Sequence, residues 1–150
     1  MNPVALVEAP KTAIYGSLYF GPPSNPRNLL WLAVYNKSTF TLDKLKALKG
    51  RRVIVFPDLS NDGSTFREWQ EKAQRFEMEL PGTRFIFSDL LERMATAKQK
   101  MDGADLADVI IQHDWREYQE FQSEVENIAT YDQPDPIELF VPAVAKIHAK

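Results

Sequence analysis

A chain of 150 residues, 44% hydrophobic and 26% charged, has the size and balance of one globular domain, and disordered and fibrous classes are excluded. It has no cysteine, so disulfides and thiolate metal sites are excluded, and its two histidines, His113 and His148, lie far apart in sequence. The net charge of −3 is uneven: Asp102 to Glu138 holds eleven acidic residues and one basic residue, Arg116, a local −10 that leaves +7 elsewhere.

Val4 to Val7 is a short apolar strand that ends in Glu8. Pro10 suits the first turn of a helix, where its missing N–H is not needed. That helix runs through Ile14 and Leu18 and stops near Gly21, where GPPSNP breaks the chain. Leu29 to Tyr35 reads as a second strand. Thr41 then caps a helix with Leu42, Leu45 and Leu48 on one face, ended by Gly50. Arg52 to Phe56 is a third strand, rich in β-branched residues. The loop DLSNDGST leads into a helix whose apolar face carries Phe66, Trp69, Ala73 and Phe76. Arg84 to Phe87 is the fourth strand, and Ser88 or Asp89 caps a helix reaching about Met101.

After Gly103, ADLADVIIQ reads as a short helix. Asp114 caps a longer one with Trp115, Tyr118, Phe121, Val125 and Ile128 on its buried side, and DQPDP ends it. The expected fold is α/β: a Rossmann-like, mainly parallel four-stranded sheet flanked by helices, with extra C-terminal helices. Residues 1–113 form the core in this reading, and 114–150 a helical extension and tail of the same domain. No apolar run approaches the ~18 residues of a membrane span, and the start lacks a secretory signal, so the expectation is a cytoplasmic protein with no membrane partner.

In open α/β sheets, ligands bind beyond the carboxyl ends of the strands. That places Glu8, Asn36, Lys37, Asp58, Ser88 and Asp89 where chemistry is expected. Without thiolates, and with few histidines, a metal would be held by carboxylates, which suits Mg²⁺ or Mn²⁺. Lys11 and Lys37 are candidate phosphate contacts. Asp105 and Asp108 sit three apart on an expected helix, where capping and solvation explain them as well as metal binding does. Trp69, Trp115 and Tyr118 lie on apolar stripes and read as core, not as base-stacking platforms. His113 beside Asp114 reads as a cap or surface residue.

Three segments, taken in order, resemble a known family. LVEAPKTA is similar to the opening motif of toprim domains, as found in type IA topoisomerases and in primase-like toprim proteins of bacterial mobile elements. VIVFPDLSNDGSTFREWQEKA looks like the second hallmark, a strand ending in Asp-x-Asp before a helix. DGADLADVI is similar to an acidic stretch that follows the toprim core of bacterial primases. The resemblance spans about residues 4 to 112. It implies that Glu8 is the general acid/base or metal neighbour and that Asp58 is a metal ligand. The family's second aspartate is replaced by Ser60, and Asp62, two residues on, is the candidate to stand in for it.

The function implied is primase-related: nucleotidyl transfer or phosphodiester chemistry on nucleic acid, with Mg²⁺ or Mn²⁺ and in company with other replication-protein domains. A degenerate toprim fold serving as a binding or assembly module is the alternative, and a toprim-type nuclease the third. With no cysteine for a zinc module, and a first strand that starts almost at Met1, this chain alone is not expected to be a complete primase. The charge balance implies weak, salt-dependent binding of nucleic acid.

Overall fold

Four apolar residues in a row, Val4–Val7, satisfy a strand covered on both faces, and all four are buried in β1. Arg52–Phe56 forms β3 on the same principle, with every residue after Arg52 buried. These two are the central strands. β2 (Leu30–Ala33) lies outside β1 and β4 (Arg84–Phe87) outside β3, and both edge strands are more exposed. The order is β2-β1-β3-β4 and every pairing is parallel. This computed structural model describes residues 2–116. The expected α/β class is the observed one.

Side chains alternate along the strands and build two cores. Ala5, Val7, Ile54 and Phe56 face α1 (Pro10–Tyr19), α4 (Leu90–Met94) and α6 (Leu106–Ile110), meeting Tyr19, Leu91, Leu106 and Ile110. Val4, Leu6, Val53 and Val55 face α2 (Leu42–Leu45) and α3 (Ser64–Glu79), meeting Phe40, Leu45, Trp69 and Ala73. Trp69 is fully buried and stacks on Phe40 with ring centroids 4.5 Å apart, so it is a core residue. On the other face Trp31 lies between Phe20 and Phe56, at 5.6 and 5.4 Å. That stack presses so closely on α1 that only glycine fits at position 16; an added Cβ would stand 2.4 Å from the Trp31 ring.

Several helices start on local signals that the sequence implies, but Thr41 precedes α2 without a side-chain capping bond, and three further differences appear. Pro10 opens α1 at its first turn. The apolar run after Pro26 leaves the sheet after Ala33, and Tyr35 is not strand: its φ of 93° turns the chain out. The helix expected to run to Met101 is two, because Ala95 is extended and Thr96 caps α5 (Ala97–Asp102) with Gln99 completing the box. Leu42–Leu45 gives only one α-helical turn before a tighter 3₁₀ turn, Lys46–Leu48. The longer helix expected from Asp114 and the tail to Lys150 lie outside the described residues, although Trp115 packs partly against the first core. Among the described residues no helix is long and apolar enough to cross a membrane.

Candidate functional site

Val7 of β1 stands opposite Phe56 of β3 in a parallel pair, so the residues that follow, Glu8 and Asp58, leave the sheet at the same edge. A third element joins them. The Leu59 N–H donates to the Ala104 carbonyl at 3.0 Å, which ties the loop after β3 to the start of α6. Asp105, the cap of α6, is buried there and accepts from the Thr12 hydroxyl at 2.9 Å. Lys11 reaches across from α1 to Asp105 at 3.1 Å and to Asp108 at 2.7 Å. Asp105 and Asp108 also complete a capping box on each other's backbone N–H groups.

Four carboxylates and one ammonium group therefore share a small region, and Asp58 feels all of them. Burial, then the charges of Glu8, Asp105 and Asp108, push its carboxyl up to about 7, against the smaller pull of Lys11. Its Oδ1 atom is buried with no hydrogen-bond partner among the described residues. Asp108 is different: the bond from Lys11 holds its carboxyl below the usual range, and the same bond raises the Lys11 ammonium. The site thus divides into an ion-paired cluster, Lys11 with Asp105 and Asp108, which keeps a net charge of about −1, and the pair Glu8 with Asp58, which has no cation bonded to it among the described residues.

The other expected site residues fall elsewhere. The Asp62 side chain accepts from the Ser64 N–H at 2.9 Å, and hydrogen bonding from the Ser64 side chain, then from its backbone, holds the Asp62 carboxyl low. Ser60, at the family's second aspartate position, accepts from the Thr65 N–H at 3.2 Å. Both thus serve the start of α3. Lys37 pairs with Glu68 of α3 at 3.0 Å. Sequence reasoning under-used Asp105, Asp108 and Thr12. Asp105 and Asp108 do cap a helix, but that helix start is docked onto the site, and the docking depends on Leu59 and Lys11, distant in sequence.

The donors available suit a hard cation only in part. Among the described residues no group of three His, Asp or Glu side chains is gathered as a ready metal cage. Mg²⁺ needs no such cage, since it usually takes one or two carboxylates and fills its shell with water and substrate phosphate. Glu8 and Asp58 leave the sheet at one edge, and the Asp58 Oδ1 atom is buried without a hydrogen-bond partner among the described residues. A polar hollow of about 430 Å³ lies beside Asp108, between α5 and α6, but neither Glu8 nor Asp58 lines it.

Residues 1–59 match the model of a domain of unknown function (DUF6371). The match takes in Glu8 and Asp58 and stops before Asp105 and Asp108. It covers less than half of the chain and carries no activity with it. No curated protein and no solved structure matches the chain.

Proposed function

We propose that this chain is a toprim-like domain for phosphodiester chemistry on nucleic acid, with Glu8 and Asp58 holding Mg²⁺ or Mn²⁺. One observation carries the reading. Two carboxylates leave neighbouring parallel strands at one sheet edge, and burial, followed by the charge of Glu8, lifts Asp58 to about 7. A site that disfavours its own second negative charge favours a cation. The three motifs that resemble toprim proteins all bear on this edge, through Glu8, Asp58 and Asp105.

In this reading Glu8 and Asp58 would hold the ion, which would supply a positive charge to offset the negative one developing on a phosphodiester under attack and a means of orienting the nucleophile. Glu8, beside it, is placed to take or give a proton. Lys11 offsets one of the two charges of Asp105 and Asp108, which lessens the negative field that an incoming phosphate meets. The reaction is nucleotidyl transfer or, as a toprim-type nuclease, strand cleavage.

A second reading has a specific observation behind it. Ser60 and Asp62 are both occupied in starting α3, so the family's second aspartate has no evident substitute. A degenerate toprim fold acting as a binding or assembly module is the proposal if the metal site fails. Calorimetric titration with Mn²⁺ decides. Wild type should bind one ion, Asp58→Asn none, and Glu8→Gln one more weakly. Binding only by Ser60→Asp would favour the degenerate module, and binding by neither would end the toprim reading. With metal bound, product analysis in the presence and absence of nucleotides separates synthesis from cleavage.

A further inference from the structure

Tyr35 combines three features that no packing role explains. It is the one described non-glycine residue with a left-handed φ, 93°, a conformation that a bulky aromatic adopts only under constraint. It is 73% exposed, so the ring gains no core in return. It also sits at the candidate site: its N–H donates to the Glu8 carbonyl at 2.8 Å, one residue beyond the Val34–Val7 bond that closes the β1–β2 ladder.

The surrounding loop is built to hold it. Asn36 caps the following turn by accepting from the Thr39 N–H at 3.1 Å, and Thr39 returns a contact to the Asn36 N–H at 3.2 Å. Lys44 donates to the Val34 carbonyl at 3.3 Å, just before Tyr35, and Lys37 follows two residues after it. An exposed ring on a backbone held in this way is the kind of platform on which single-stranded nucleic acids stack their bases, and Lys37, ion-paired with Glu68, and Lys44 of α2 keep positive charge nearby.

We propose that Tyr35 is a stacking platform for a nucleobase of a single strand whose phosphodiester is presented to Glu8 and Asp58. The choice of ligand rests on the phosphodiester reading above. The strained backbone aims the ring outward at the sheet's carboxyl edge, where an ordinary β conformation would continue the strand.

The experiment measures binding of the full chain to a fluorescent single-stranded DNA and to an abasic strand of equal length and charge, at low salt. Wild type should prefer the base-containing strand about tenfold, the size of contribution a single stacked base supplies. Tyr35→Phe should keep that preference, and Tyr35→Gly should abolish it while the melting temperature stays level or rises, since glycine tolerates the left-handed φ. Equal binding of the two strands by wild type, no binding of either, or a preference that survives in Tyr35→Gly would overturn the proposal. Mn²⁺ calorimetry on the same variants reads the metal site separately. Metal binding without base preference removes the Tyr35 role alone, and base preference without metal binding removes the Glu8–Asp58 reading alone.

Discussion

Asp58 is the residue whose behaviour follows most directly from its surroundings. Its folded-state pKa, about 7, lies above the ordinary value of 3.8, so between those two pH values the native protein keeps a proton that the unfolded chain has lost. Its contribution to stability is therefore complete at low pH and is lost as pH rises through about 7. Asp58→Asn removes the penalty of ionising a buried, unpartnered carboxyl. Between pH 5 and pH 8 the stability of Asp58→Asn relative to wild type should rise by on the order of 3 kcal/mol. Urea unfolding at the two pH values, with divalent ions chelated, measures this. A constant difference would mean that the carboxyl titrates normally. Added Mn²⁺ should reverse the trend, because a cation at the pair stabilises the ionised form.

Helix α1 carries the site's Lys11 and Thr12, and its seat on the sheet is set by a close approach. Gly16 faces the Trp31 ring, and that ring is held on both sides by Phe20 and Phe56, so it has no direction in which to yield. Gly16→Ala pits two effects against each other. Alanine favours a helix over glycine by roughly 1 kcal/mol, whereas overpacking a filled core costs about 1–3 kcal/mol. A contact of 2.4 Å is far inside van der Waals distance, so the steric effect should win. A net loss of about 2 kcal/mol in denaturant unfolding is expected. A stabilised Gly16→Ala would show that α1 can lift away from β2, and would also loosen the argument that Lys11 is held on α6.

Across the chain as a whole, charge is divided between a positive majority and the acidic stretch from Asp102 to Glu138. Part of that stretch has a local task, since Asp105 and Asp108 share the ammonium of Lys11. Glu117, Glu120, Glu124 and Glu126 lie beyond the described residues, and their charges add to the long-range field. Replacing these four by glutamine should tighten single-strand binding at low salt, and the gain should shrink as salt screens the field over about 10 Å at 0.1 M. Anisotropy titrations at several salt concentrations test this. An unchanged affinity would show that the acidic segment is held away from the strand's path.

The strands and their class were legible in the sequence because a fully buried parallel strand must be apolar throughout, as VALV and RVIVF nearly are. Glu8 and Asp58 were legible as candidates for the same reason: parallel strands end on one edge, so the polar residue after each run is placed by topology. Local hydrogen-bond chemistry also announced the helix starts at Pro10 and at the Asp105 box. The sequence could not reveal which carboxylates are ion-paired. That depends on Lys11 meeting Asp108 and on Leu59 meeting Ala104, contacts between segments far apart in the chain. Nor could it reveal that Tyr35, the last residue of an apolar run, leaves the sheet with a left-handed φ. Propensity speaks for a strand there; tertiary hydrogen bonding to Glu8 decides otherwise, because a backbone partner fixed in space outweighs a local preference of a fraction of a kcal/mol.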